Sequence, residues 1–246
     1  IKEAKAFGTV NVAFDGSACG YDHVPTREEL SLSENAAYLH YCSNNTIFGT
    51  RFDVPPETAA PLVCDASSEM FARPIDVAKH ALIYAGAQKN LGPSGVALVI
   101  IHREFMSKAV RTPISMLDYA RHAKGGSRLN TPPTFGIYMM GLVFKWILAE
   151  GGLEAIERRN EAKAKLLYDA IDGSGGFYRG VSRPECRSRM NVTFRLPSEE
   201  LEKTFVAEAA AEGMDGLKGH RDAGGVRASI YNAFPIAGCE RLASFM

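Results

Sequence analysis

The segment Tyr84-Ala85-Gly86-Ala87-Gln88-Lys89-Asn90-Leu91-Gly92-Pro93-Ser94-Gly95 sets a lysine among small residues, between the apolar runs 81–84 and 96–101. Two buried strands joined by a glycine-rich turn fit that pattern. An ammonium held between buried strands is costly unless it is paired or gives up its proton. A lysine with a lowered pKa is a nucleophilic amine, suited to forming a Schiff base with an aldehyde. A lone lysine more often reaches solvent along its stem. The residues around Lys89 decide for the amine.

Four features accompany it. Cys64-Asp65 places an acid at the end of a short apolar run; such an acid can keep a pyridinium nitrogen protonated, or simply cap a turn. Asn44-Asn45-Thr46 offers a hydroxyl and two amides, for a ring oxygen, a phosphate or turn chemistry. Ser127-Arg128-Leu129-Asn130-Thr131-Pro132-Pro133 sets polar donors at a helix start, where free N–H groups attract phosphate and where a plain cap would look the same. Lys218-Gly219-His220-Arg221-Asp222-Ala223-Gly224-Gly225-Val226-Arg227 clusters cationic groups among glycines. Arginine forks bind carboxylate and phosphate, and the glycines permit close backbone approach to a ligand.

The elements that must position these groups alternate between strands and helices. Residues 10–14 read as a short strand and 25–30 as a polar helix start. Residues 36–41, 61–65, 81–84 and 96–101 read as further strands. A long apolar helix covers 135–150, ends at Gly151-Gly152, and is followed by a second helix over 153–171. Strands at 190–196 and 226–231 flank an amphipathic helix at 199–212. This order predicts an α/β fold with a mainly parallel sheet, its functional loops at strand ends, followed by a small α+β module. The expected division is 1–150 for part of a large domain and 151–246 for a small one.

Composition narrows the classes. The chain has 246 residues, 46% hydrophobic and 23% charged, enough for a sizeable globular core. Lys+Arg 28 balances Asp+Glu 28, so no basic field argues for nucleic acid. The apolar runs are too short for a membrane span, and no signal peptide is visible. Five scattered cysteines without CxxC pairs argue against structural zinc or a disulfide framework, and for reduced thiols in the cytoplasm. No metal is expected. Trp146 reads as core on the long helix. The first residues read as the tail of a helix and the last as the middle of another, the pattern of a fragment.

Taken in order, the Lys89 segment, Asn130-Thr131-Pro132-Pro133-Thr134-Phe135, Arg187-Ser188-Arg189-Met190-Asn191-Val192 and the run from Leu217 to Ala233 resemble the phosphoserine aminotransferases. These are class V, fold-type I enzymes dependent on pyridoxal 5'-phosphate. The resemblance runs nearly end to end. It implies that Lys89 is the Schiff-base lysine and the base for the α-proton, and that Gln88 contacts the cofactor phosphate. Asp65 would pair with the pyridinium nitrogen and Thr46 with the ring hydroxyl oxygen. Asn130 and Thr131 would reach the cofactor phosphate of the partner in a homodimer. Arg227 would grip the substrate carboxylate, and His220 and Arg221 the substrate phosphate. The implied reaction moves an amino group from L-glutamate to 3-phosphohydroxypyruvate by a ping-pong route. The family pattern also extends upstream of Ile1 by roughly a third of its length, with a glycine-rich phosphate turn and a ring-stacking aromatic.

Two other readings compete. A cysteine desulfurase or an alanine–glyoxylate aminotransferase would share Lys89 and Asp65, but neither needs a second anion grip such as His220-Arg221. A desulfurase also needs a nucleophilic cysteine, and Cys186 reads as a passive thiol. A dimerising or anion-binding fragment without turnover is the non-enzymatic alternative.

Overall fold

The computed structural model describes residues 1–109 and 114–246. Strands β1 (Leu39–Cys42), β2 (Leu62–Asp65), β3 (Leu82–Gly86) and β4 (Ala97–Ile101) form one sheet in that spatial order. The first three are parallel, and β4 returns antiparallel to β3. Leu62, Cys64, Ile83 and Ala85 are buried together with Met70, Leu91 and Met140. Near-continuous apolar runs suit strands covered on both faces. Because three strands run the same way, Cys42, Asp65 and Gly86 end on a common edge, where open α/β sheets gather their functional loops.

The turn between β3 and β4 is closed by its own backbone. Ala87 N–H donates to Val96 O at 2.9 Å, and the N–H groups of Leu91 and Gly92 both donate to Ala87 O. Two short helices follow, α1 (Arg103–Ser107) and α2 (Tyr119–Lys124), the latter capped by the Asp118 side chain.

Helix α3 (Thr134–Ala149) buries Gly136, Met140 and Ile147 and leaves Phe135, Tyr138, Leu142 and Leu148 exposed. It meets α4 (Leu153–Gly173) at an 85° bend. Gly151 and Gly152 carry φ of 100° and 80° there, which only glycine adopts freely. Helix α4 contributes Ala164, Leu167, Tyr168 and Ile171 to a second apolar core. That core packs against the antiparallel sheet β5 (Arg179–Gly180), β6 (Asn191–Arg195) and β7 (Val226–Ser229). Helices α5 (Glu199–Ala211), capped by Ser198, and α6 (Ile236–Phe245) complete it. No single helix among the described residues is long and apolar enough to cross a membrane.

Most expected elements are present within a few residues of their bounds; three expectations fail. Residues 10–14 are not a strand. Their apolar alternation meets no neighbouring strand, and the segment is held to Ser31 by Ser31 N–H to Ala13 O and Asn11 Nδ2 to Ser31 O. Residues 25–30 form a turn rather than a helix; Glu29 accepts from Thr26 N–H, but no apolar stripe follows to bury. Trp146 is half-buried rather than core, with the Arg159 guanidinium 5.8 Å above its ring.

Candidate active site

Three of the candidate groups sit where a strand ends. Lys89 lies in the turn after β3, Asp65 is the last residue of β2, and Thr46 lies in the turn after β1. Asn45 shapes that last turn, its Oδ1 accepting from the N–H groups of Ile47 and Phe48. The turn presses against the second sheet at Gly49. A Cβ there would meet Thr193 Oγ1 at 2.6 Å and Asn191 O at 2.7 Å, and φ is 76°.

Lys89 and Arg227 converge on Thr46 from the two sheets. Lys89 Nζ donates to Thr46 Oγ1 at 2.6 Å, and Arg227 Nη1, from β7, donates to Thr46 O at 3.3 Å. Arg227 Nε is buried without a hydrogen-bond partner among the described residues. Burial lowers the pKa of Lys89 and the positive charge of Arg227 adds to that, while neighbouring Cys42 and Asp65 oppose it. The half-buried amine is thus drawn toward its neutral, nucleophilic form. Asp65 Oδ1 accepts from Ser67 N–H at 2.9 Å, so the turn role read from the sequence is real and coexists with its place beside Lys89.

A buried polar network fixes the two sheets relative to this edge. Asn44 Nδ2 donates to Ser68 Oγ at 2.8 Å and to Asn191 Oδ1 at 2.9 Å, and Ser188 Oγ donates to Asn44 Oδ1. Asn191 Nδ2 continues to Ser229 Oγ and Tyr231 Oη. Thr193 Oγ1 donates to Phe48 O at 2.7 Å, and Asn232 N–H donates to Asn90 Oδ1 at 3.0 Å. Asn44 is therefore structural, with its side chain spent between the sheets. Ser67, Tyr84 and His40 also support the site and were not read from the sequence. Ser67 Oγ accepts from Gly86 N–H at 3.0 Å, and His40 Nε2 lies 3.0 Å from Tyr84 Oη. Burial first, and then the Asp65 charge, raises the Tyr84 pKa. Their only signal was strand register, which follows from pairing and not from motif.

The remaining candidates lie apart. Gln88 is exposed, its carboxamide folded toward Gly86. Asn130 and Thr131 are exposed before α3, and Asn130 Nδ2 donates to Thr131 O at 3.4 Å; among the described residues neither side chain is hydrogen-bonded to Lys89. In the loop before β7, His220 Nδ1 accepts from Asp222 N–H at 3.2 Å and Arg221 is 89% exposed, facing Asp222 Oδ1. The glycines of that loop serve its own fold. A Cβ on Gly219 would meet Gly224 O at 1.9 Å, and one on Gly225 would meet Phe194 O at 2.6 Å.

A lysine, an acid and a hydroxyl at the carboxyl edge of a parallel sheet, with an arginine from a second sheet, agree with the comparisons to known proteins. The model of the family "Aminotransferase class-V" matches residues 18–242. The chain belongs to that family. Phosphoserine aminotransferase of Herpetosiphon aurantiacus is 53% identical over 245 residues, 99% of this chain and 68% of that protein. The solved phosphoserine aminotransferase of Bacillus circulans subsp. alkalophilus is 51% identical, with a TM-score of 0.96 over 99% of this chain and 68% of the other. The pyridoxal-phosphate-bound enzyme of Trichomonas vaginalis is 38% identical, with a TM-score of 0.93 over 99% of this chain and 70% of the other. Within the class, the chain's place is among the phosphoserine aminotransferases.

Proposed function

We propose that this chain carries the pyridoxal-phosphate-dependent transfer of an amino group between L-glutamate and 3-phosphohydroxypyruvate, giving 2-oxoglutarate and O-phospho-L-serine. The observation that carries the reading is the convergence of Lys89 and Arg227 on Thr46, with Asp65 beside them at the same sheet edge. The residues fit the coenzyme: a depressed amine for its aldehyde, a carboxylate for its ring nitrogen, a hydroxyl for its ring oxygen, and a buried guanidinium Nε still lacking an acceptor. Asp65 would hold the ring nitrogen and Thr46 the ring hydroxyl oxygen. Gln88 would hold the phosphate, and Asn130 and Thr131 would hold that of a partner subunit. When bound, pyridoxal phosphate supplies the aldehyde and the electron sink for the carbanion.

The chain's own groups do the rest. Lys89 Nζ, drawn toward its neutral form by burial, takes the proton from the substrate Cα and returns it two bonds away. Arg227 holds the α-carboxylate through its guanidinium fork, which fixes the Cα–H bond toward Lys89. His220 and Arg221, on the exposed loop leading into β7, hold the phosphate of the phosphorylated substrate. That substrate is anionic at both ends, which matches two separate cationic grips.

A division at the α3–α4 bend accompanies this reading. Residues 1–150 would form the coenzyme-binding part and 151–246 the small α+β part, supported by apolar cores whose buried members fall on either side of the bend. The protein would act in the cytoplasm as a homodimer.

Arg221→Ala tests the substrate assignment in the assembled enzyme. It should raise KM for 3-phosphohydroxypyruvate about tenfold or more, through loss of a charge-assisted grip, and change that for glutamate less. Equal losses for both substrates would remove the phosphate role.

A further inference from the structure

Cys19 closes a single helical turn, Gly16–Cys19. The chain then reverses through Gly20 and Tyr21, with φ of 65° and 57°. The reversal folds Asp22 and His23 back onto Cys19. Cys19 Sγ lies 3.5 Å from His23 Nδ1, and Asp22 Oδ1 lies 2.6 Å from the same nitrogen. One ligand atom from each of the three residues lies within 4.8 Å of the others. On the far side of the ring, His23 Nε2 meets Glu29 Oε1 at 3.1 Å. Asp22 Oδ2 accepts from Arg183 Nε at 2.9 Å, which leaves Oδ1 facing the cluster.

A thiol, an imidazole nitrogen and a carboxylate oxygen converging on one point form a mixed S, N, O donor set of the kind zinc takes in tetrahedral sites. An imidazole whose second nitrogen is held by a carboxylate is the usual support of such a ligand. We propose that Cys19, Asp22 and His23 form a binding site for Zn²⁺, with water as the fourth ligand, Glu29 orienting the imidazole and Arg183 orienting the carboxylate.

Binding takes the Cys19 sulfur as thiolate and the His23 ring through an unprotonated nitrogen, so metal uptake releases protons. The pattern Cys-x-x-Asp-His lacks the paired spacing that marks zinc in sequences; the Gly20–Tyr21 reversal creates it. The site also touches the candidate active site. Tyr21 stacks on Phe48, ring centroids 4.5 Å apart, and Phe48 belongs to the turn that carries Thr46. Bound metal would therefore brace that turn.

Titration of the 246-residue chain with Co²⁺, as a spectroscopic stand-in for zinc, tests the assignment. One equivalent should produce a thiolate-to-cobalt charge-transfer band in the near ultraviolet and tetrahedral bands in the visible, both displaced by Zn²⁺. Cys19→Ser should abolish the charge-transfer band, and Cys42→Ser, at an exposed cysteine outside the cluster, should leave it intact. Glu29→Gln should weaken affinity roughly tenfold. Absence of the band in the unaltered chain, or its survival in Cys19→Ser, would overturn the proposal.

Discussion

Lys89 is held between opposing influences, and each can be removed singly. Burial and Arg227 lower its pKa; Cys42 and Asp65 raise it. Asp65→Asn should therefore lower the pKa further, and Arg227→Ala should raise it. The amine reacts with acylating reagents only when neutral, so labelling of Lys89 in the coenzyme-free chain should rise with pH through a midpoint below that of a model lysine peptide. Mapping the acylated peptides across a pH series reads both shifts. Coincident midpoints for Lys89 and the model peptide, or shifts of the same sign in the two variants, would contradict this electrostatic picture. At this scale the sequence was most informative where a residue type is chemically uncommon in its setting. A lysine in a small-residue turn, an acid ending an apolar run and an arginine near the start of a strand are legible, and the lysine and arginine converge on Thr46. For Asn44 the sequence left ligand binding and turn chemistry open; it is a buried tie between the sheets, hidden because its partners Asn191 and Ser188 are distant in sequence. His40 and Tyr84 carry no motif at all; only the β1–β2–β3 register brings them near Asp65.

Among the elements, α4 bears a burial that its outward pattern hides. Lys163 is fully buried, and its Nζ donates to Ile230 O at 2.9 Å, Tyr231 O at 2.7 Å and Phe234 O at 3.2 Å. It thereby secures the segment between β7 and α6. Lys163→Met keeps much of the volume and leaves Ile230 O and Phe234 O without a donor, while Tyr231 O keeps the Phe234 N–H, which should cost about 2 kcal/mol or more. Urea unfolding should give a lower midpoint with unchanged slope; a loss under about 0.5 kcal/mol would show the carbonyls finding other donors. Helices and strands with strong periodicity were legible to within a few residues, because burial on one face enforces the period. The failures at 10–14 and 25–30 share a cause: local pattern without a partner. The first has no strand beside it, and the second caps nothing that packs.

For the molecule as a whole, α3 leaves an apolar face open to solvent. Phe135, Tyr138 and Leu142 recur along one side of the helix and are open to solvent. If the chain pairs through this face, sedimentation should give the mass of two chains, and Tyr138→Glu with Leu142→Glu should give one, with circular dichroism unchanged. A single-chain mass before substitution would remove this interface. The overall architecture was legible because strands alternate with helices through the first half and the motifs keep their order. How the two sheets meet was not, since it rests on hydrogen bonds such as Arg227 to Thr46, whose partners lie far apart in the chain. The proposed coenzyme site rests on that meeting, with an amine from one sheet and a guanidinium from the other converging on Thr46. Borohydride reduction of the chain in the presence of pyridoxal phosphate, followed by peptide mass mapping, tests it directly. The coenzyme mass should be fixed on the peptide at Lys89 and lost with Lys89→Ala. Fixation at another lysine, or none at all, would contradict it.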